Sequence, residues 1–247
     1  MSQNQNIVLQ NLGIAIAIRN HNPAILTQEF LKYSDIVPED WELAREPIAG
    51  NQGSQVVYRN GVTLTAQQEI LSFVEIIGAK TINDIQASNI AHKYVKALPN
   101  LEYQALGIDV RGYITASQLS EGVSAQSYLN SLLAPAPWRE IGQQPVKASV
   151  QLVFSLAQGQ FSLGINEGVL YVSEEETVPI VLFNGNFSYR MSGNKKEERL
   201  ESLHQLIDNW QRDINTYQEI INTKFLGSQV VLQDAPDTSG DKILIPS

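Results

Sequence analysis

The sequence predicts an α+β protein, in which hairpin-connected antiparallel strands pack against helices and a long C-terminal helix covers a sheet. Strand-length segments follow one another in each half of the chain before a helix appears, instead of alternating with helices. An Asn-Gly pair at 60–61 lies between alternating residues, and a helical pattern with a wide apolar stripe occupies 200–221. The shared order of strands and helix permits two similar halves.

The first predicted strand covers residues 8–19 and has two contrasting faces. One face carries large aliphatic side chains and the other small residues, in the order Leu12, Gly13, Ile14, Ala15, Ile16, Ala17, Ile18. A small-residue face allows close approach, so we expect a helix to pack on it. Asn20 to Asn22 end the strand, and Pro23 suits the first turn of a helix that extends to about Tyr33.

The segment 55–65 predicts a hairpin, followed by a third strand at 69–77. Asn60-Gly61 favours a two-residue type I′ turn, because both residues tolerate positive φ. Such a turn pairs Val57 with Leu64 and Arg59 with Val62. Tyr58 and Thr63 then face the other side of the hairpin.

The preceding loop, 37–54, is long for a connection in a compact domain, which makes it a candidate functional loop or a cover. Its carboxylates Glu39 and Asp40 have the chemistry to hold a metal or to act in acid/base catalysis, or they form a solvated, capping stretch. Trp41 either covers the core or presents a contact. Trp41, Tyr58, Glu39 and Asp40 are the candidate binding residues.

The middle of the chain continues with helix, strand and helix. Thr81 and Asp84 resemble a capping box for a helix that extends to about Leu98. Residues 101–114 follow as a strand, on which Asp109 and Arg111 share a face and have the spacing for an ion pair. A short helix is predicted at 124–133, and 134–145 is a connection.

The second half opens with strand patterns at 146–157, 160–172 and 177–191. A second Asn-Gly pair, Asn184-Gly185, marks either a bulge or a hairpin turn, and periodicity does not decide between them. A long helix then extends from 195 to 225 and ends before Gly227. The predicted units are an N-terminal half (1–133), strands with the long helix (146–232) that form one compact unit with it, and a loose tail (233–247).

The long helix raises the question of a partner. Seven apolar residues recur at spacings of three and four, which is a heptad pattern: Leu200, Leu203, Ile207, Trp210, Ile214, Tyr217 and Ile221. Leu206, Ile220 and Phe225 widen the stripe, and aromatic residues at heptad positions disfavour a two-stranded coiled coil. We therefore predict that this helix packs on the sheet of its own chain.

Composition excludes several classes of function. The net charge is −9 and the pI about 4.8, so nucleic acid and anionic membranes are not expected partners. The chain has no cysteine, and its three histidines, His21, His92 and His204, are not at metal-ligand spacing. We find no catalytic motif and expect no cofactor. Residues 1–13 have no basic region and no long apolar core, so a cytoplasmic protein is expected.

Four segments carry a resemblance to a protein family: VPEDWELAREP (37–47), SQVVYRNGV (54–62), IAHKYVKALPNLEYQALGID (90–109) and NWQRDINTYQEIINTKFL (209–226). They resemble an uncharacterised bacterial family of similar length, found in photosynthetic bacteria. The resemblance spans most of the chain and implies one full-length fold unit in a bacterial cytoplasm. It implies no activity, cofactor or site residue.

Three functional hypotheses follow. The first is a non-catalytic protein-interaction protein, with a protein partner or self-association as a homodimer. The second is a binding module for a hydrophobic ligand or an extended peptide, in a groove between sheet and long helix lined by the small residues of 12–18, Tyr58 and Trp41. The third is a metal-dependent hydrolase that uses the carboxylates of 35–46.

Overall fold

The computed structural model describes residues 6–119, 122–143, 146–173 and 176–227. Its strands are β1 (Val8–Arg19), β2 (Gly53–Val57), β3 (Val62–Gln67), β4 (Ile70–Ile76), β5 (Glu102–Thr115), β6 (Val150–Leu156), β7 (Gly159–Tyr171) and β8 (Thr177–Arg190). Its helices are α1 (Gln28–Tyr33), α2 (Ala87–Ala97), α3 (Ala125–Ser131), α4 (Lys196–Asp208) and α5 (Trp210–Ile220), which continues into a π-helical turn (Ile221–Leu226).

All eight strands belong to one antiparallel sheet, in the order β2-β3-β4-β1-β5-β8-β7-β6. The α+β prediction with antiparallel strands is confirmed, but both parts of the chain contribute to a single sheet rather than to separate ones. The first part supplies β1 to β5 and the second supplies β6 to β8, and the pairing of β5 with β8 joins them. The predicted loose tail, 233–247, lies outside the described residues.

Helices cover one face of this sheet. On β1, Leu12, Ile14, Ile16 and Ile18 are buried in the core that α2 and the C-terminal helices cover. The expectation that a helix packs on the small-residue face of β1 is wrong for the described chain. The face with the large aliphatic side chains buries more apolar area against a helix than the small-residue face does. This difference decides which side of the sheet the helices occupy.

The hairpin between β2 and β3 is confirmed, but its register differs by one residue from the prediction. Tyr58 pairs with Val62 and Val57 with Thr63, so the loop has three residues and Gly61 alone takes a positive φ, of 86°. This is a turn closed by a glycine bulge rather than a type I′ turn. A one-residue slip exchanges the faces, and Tyr58 consequently lies in the core.

The second Asn-Gly pair forms neither a turn nor a bulge. Asn184 and Gly185 lie within β8, in an unbroken ladder where Gly185 is opposite Val110 on one side and Leu163 on the other. A Cβ at Gly185 would lie 2.7 Å from the Tyr217 ring. The glycine is therefore explained by the close approach of α5 to the sheet rather than by chain reversal.

The C-terminal helices cover the sheet as predicted. Leu203, Ile207, Trp210, Ile214, Tyr217 and Ile221 are each at most 6% exposed. The helix is not continuous, because it breaks at Asn209 between α4 and α5. The hydroxyl of Tyr217 donates a hydrogen bond of 2.8 Å to the carbonyl of Phe183, which fixes α5 on β8. Among the described residues, no helix is long and apolar enough to span a membrane.

Candidate functional site

The face of the sheet opposite the helices, which we call the uncovered face because no helix of the described residues packs on it, has a composition that requires an explanation. Two rows of side chains cross all eight strands at its centre. From β2 to β6 they are Val57, Thr63, Val74, Gly13, Asp109, Asn186, Ser162 and Val153, and Gln55, Thr65, Ser72, Ala15, Gly107, Ser188, Gln160 and Ser155.

The two central rows contain a single charged residue, Asp109, among sixteen positions. Protein surfaces that only face water carry charge at about a quarter to a third of their positions. The chain as a whole has 26 acidic and 17 basic residues, so charge is available and is placed elsewhere. Depletion of charged residues is a feature of the centre of protein interfaces.

Two polar pairs lie in the middle of this face, on the neighbouring strands β5 and β8. The amide Nδ2 of Asn186 donates to Oδ1 of Asp109 at 2.8 Å, and Nε of Arg111 donates to Oδ1 of Asn184 at 2.8 Å. Asp109 and Arg111 share a face, as predicted, but each bonds to an asparagine of β8 rather than to the other. The pairs hold a fixed pattern of donors and acceptors towards solvent.

The environment of Asp109 is crowded although its side chain keeps access to solvent. Loss of hydration raises the pKa of this carboxyl, against the lowering effects of the Asn186 hydrogen bond and the Arg111 charge. As an exposed carboxylate with two acceptor oxygens, Asp109 can accept a further hydrogen bond from a donor of a partner. It is therefore suited to recognition of an N–H or O–H group.

Glycines allow these polar groups to lie close to the backbone. A Cβ at Gly107 would lie 3.2 Å from Nδ2 of Asn186, and one at Gly13 would lie 3.2 Å from Cβ of Asp109. With Ala15 between them, they form a shallow region where the backbone of a second molecule has close access. The small residues of β1 were identified from the sequence, whereas Asn184 was considered only as a turn or bulge residue and Asn186 was missed.

Of the four residues predicted as a binding site, the structure brings two together. The Trp41 ring meets the Tyr58 ring edge to face, with centroids 5.1 Å apart. Trp41 is half-buried and Tyr58 buried, so the pair closes the core beside β2. Burial also raises the pKa of Tyr58 to about 12, which keeps its hydroxyl protonated.

Glu39 and Asp40 are exposed in the same loop. The backbone carbonyl of Glu39 accepts a hydrogen bond from Lys32, which ties the loop to α1. Within the described residues, no group of three histidine or acidic side chains has the geometry to hold a metal ion. The structure therefore gives the loop carboxylates no common centre.

Tyr58 and the small residues of β1 lie on opposite sides of the sheet. Tyr58 belongs to the helix-covered core, whereas Gly13, Ala15 and Ala17 belong to the uncovered face. They do not line one groove. The space between sheet and C-terminal helices is filled by buried side chains, with Tyr217 and Phe183 among the largest.

The loop that contains Trp41 covers the edge of β2. Ala44 donates to the carbonyl of Val57 at 2.8 Å, and Ile48 and Gln55 exchange two backbone hydrogen bonds of 2.8 and 2.9 Å. Of the two roles considered for this loop, the structure gives it that of a cover. It protects the backbone groups of an end strand that would otherwise be open.

A buried carboxylate, Glu75 on β4, was missed in the sequence. Its Oε2 accepts from the backbone N–H groups of Gln86 and Ala87 at 2.7 and 2.8 Å, at the start of α2. Its Oε1 lies 2.7 Å from the ammonium of Lys80, which also bonds to Asn60. Because both carboxylate oxygens accept internal hydrogen bonds, Glu75 is a structural group. Because it lies between the apolar residues Val74 and Ile76, the sequence alone does not indicate that its side chain is buried.

The histidines are not simple surface residues. His21 is buried and its Nε2 lies 3.2 Å from the Tyr94 hydroxyl; burial lowers its pKa. His92 and His204 stack between α2 and α4, with ring centroids 4.1 Å apart. Burial, followed by the neighbouring His92, lowers the pKa of His204. These contacts join α2 to the segment after β1 and to α4.

A polar cleft of about 580 Å³ lies where β1 ends. Its lining includes Arg19, Asn20, Asn22, Asn51, Gln68 and Gln104, and Asn20 has a positive φ of 57°. Asparagine is the residue that tolerates this conformation best after glycine. The amide-rich lining contains no nucleophile paired with a base, so we assign it no chemistry.

Fold and surface together define a class: a two-layer α+β protein, as far as its residues are described, with one charged residue in the two central rows of the sheet face opposite the helices. Comparison with protein-family models and with curated proteins gives no match. Any functional conclusion therefore depends on the geometry and chemistry of this chain.

Proposed function

We propose that this chain is a non-catalytic protein-interaction protein, and that its partner docks on the uncovered face of the sheet. The observation that carries the proposal is the composition of the two central rows, which have one charge in sixteen positions in an acidic chain. Interfaces differ from the remaining surface chiefly through such depletion of charged residues.

The small side chains at the centre of this face favour a partner with large side chains, such as a helix. Ser72, Ala15, Gly107 and Ser188 are consecutive neighbours across four strands, and none of them projects far from the backbone. Small residues on one side allow close packing of a second element. The pairs Asp109–Asn186 and Arg111–Asn184 would orient that element through directed hydrogen bonds.

Apolar side chains surround this centre. Ile76 on β4 is 58% exposed, and Val8, Tyr113 and Leu182 are neighbours across β1, β5 and β8. A partner that covers the polar centre also removes these side chains from water. Burial of apolar area of this kind is the main source of association free energy.

Site-specific photocrosslinking in the native cell tests the proposal. A photoreactive residue at Thr65, on the uncovered face, should give one dominant adduct. The same residue at Gln205, on the exposed side of α4, is the matched control and should not give that adduct. Ala15→Arg places a long charged side chain at the centre and should abolish the Thr65 adduct while leaving the circular dichroism unchanged.

The proposal fails if Thr65 and Gln205 give the same pattern, or if the adduct persists in a folded Ala15→Arg protein. The alternative, a hydrophobic ligand in a groove between sheet and long helix, receives no support from the filled core of the described residues. The carboxylates of the 35–46 loop likewise form no centre for hydrolysis.

A further inference from the structure

The two edges of the sheet differ in whether a loop of the chain covers their backbone groups. The edge of β2 is bonded to the loop residues Ala44 and Ile48. Within the described residues, β6 at the other edge pairs only with β7. Open strand edges promote pairing with another chain, and proteins usually protect them with charge, proline, bulges or a covering loop.

The sequence of β6, VQLVFSL, has none of these protections. It contains no charged residue and no proline, and it pairs with β7 in a regular ladder without a bulge. Val153 is 60% exposed, and Phe154 and Leu156 are each 39% exposed. Seven residues extend over about 24 Å, which is long for an unprotected edge.

We propose that β6 pairs with β6 of a second copy of this chain, antiparallel and across a two-fold axis at Val153. This inference concerns the edge of the sheet and does not rest on the partner proposed for the uncovered face. A two-fold axis requires the edge to complement itself, so that each residue meets a suitable one from the same strand.

The strand satisfies this requirement at one register. With Val153 opposite its own copy, Leu152 meets Phe154, Val150 meets Leu156, and Gln151 meets Ser155. Apolar residues thus meet apolar ones and polar residues meet polar ones along all seven positions. A shift by two residues shortens the pairing and places Val153 opposite Gln151 or Ser155. Cross-strand pairs of like character stabilise such a ladder.

The register also places like faces together. Val150, Leu152, Phe154 and Leu156 lie on the helix-covered side, since three of them are opposite the core residues Ile165, Leu163 and Phe161. The two sheets therefore continue as one, with both helical layers on the same side. Phe154 ends a ring stack over Phe161 and Phe187, and Leu152 of the second copy would cover its exposed side.

The lack of charge on β6 permits a second copy as the occupant, which the self-complementary register selects. Two chains of net charge −9 repel each other, and the contact costs least where neither carries a carboxylate. β6 is such a segment. Because one strand edge buries less than the standard area of about 800 Å² per partner, we expect a dimer that depends on concentration in the micromolar range.

A cysteine at the axis gives a sharp test, because the chain has no cysteine of its own. Opposite residues of an antiparallel pair have Cα atoms about 4.5–5.5 Å apart, within the range of a disulfide. Val153→Cys should form a disulfide-linked dimer under mild oxidation. Val169→Cys, at a site on β7 that is 52% exposed, is the control and should remain mostly monomeric.

Sedimentation velocity on the full chain provides the second measurement. Val153→Lys places two ammonium groups opposite each other and should weaken dimerisation at least tenfold, whereas Val169→Lys should not change it. Hydrogen exchange of 150–156 should slow as protein concentration rises. A monomer at all concentrations, no Val153→Cys crosslink, or protection independent of concentration, which would indicate a strand from the same chain, overturns the inference.

Discussion

Replacement of Glu75 by alanine tests the most specific buried interaction of the fold. Two backbone N–H groups at the start of α2 lose their acceptor, and the Lys80 ammonium loses its partner. Each buried donor left unpaired costs about 1–3 kcal/mol. Loss of one member of a buried ion pair costs about 3–5 kcal/mol.

We expect Glu75→Ala to lower the free energy of unfolding by about 4 kcal/mol, the middle of that range. Lys80 is partly exposed and can turn towards water, which argues against the upper end. For a chain of this length the melting temperature should fall by roughly 10 °C. Urea denaturation followed by tryptophan fluorescence measures the change, provided that the transition is two-state.

Glu75→Gln separates hydrogen bonding from charge. Both backbone bonds go to the same oxygen, Oε2, so the amide oxygen of glutamine can accept them while its NH₂ group faces Lys80. We expect less than half of the loss that alanine causes. A Glu75→Ala protein within 1 kcal/mol of the wild type, or a glutamine variant as unstable as the alanine one, would refute this reasoning.

Three further changes probe the core. Gly185→Ala should lower stability by about 1–3 kcal/mol in urea titrations, because the new Cβ overlaps the Tyr217 ring; an unchanged midpoint would contradict the packing. Burial lowers the pKa of His21 below its ordinary 6.5, so the unfolded chain binds protons that the folded chain does not, and stability falls from pH 7 to 5; His21→Gln should reduce that loss. Asp213 on α5 is buried, and burial raises the pKa of its carboxyl above the ordinary 3.8. The folded chain therefore holds a proton that the unfolded chain loses as the pH rises above about 4, so stability falls with rising pH; in urea titrations Asp213→Asn should lose less stability than the wild type between pH 4 and 7.

The sequence predicted local structure well, because local patterns carry it. The bounds of β1 agree with the predicted strand. Thr81 and Asp84 form the expected capping box, but it begins a short 3-10 turn, Ile82–Asp84, and α2 starts separately at Ala87. The apolar stripe of the C-terminal helix was wider than a coiled-coil seam, and this width correctly predicted that the stripe is buried on the sheet. These features depend on residues only a few positions apart.

Features that depend on distant pairing were less accessible. The one-residue error at Asn60-Gly61 moved Tyr58 to the wrong face, since the turn type sets the register. All strands belong to one sheet because β5 pairs with β8, and the two strands are more than 60 residues apart in the sequence. The same pairing brings Asn184 and Asn186 to Arg111 and Asp109, so the polar centre could not be assembled from the sequence.

The central claim, that a partner covers the uncovered face, is tested most directly by hydroxyl-radical labelling read by mass spectrometry. The reporters are Ile76, Tyr113 and Leu182 on that face, and the control is Tyr33, which is 92% exposed on α1. We predict that the reporters are labelled several-fold less in intact native cells than in the purified chain, with Tyr33 unchanged. Equal labelling of the reporters in both conditions would contradict the account.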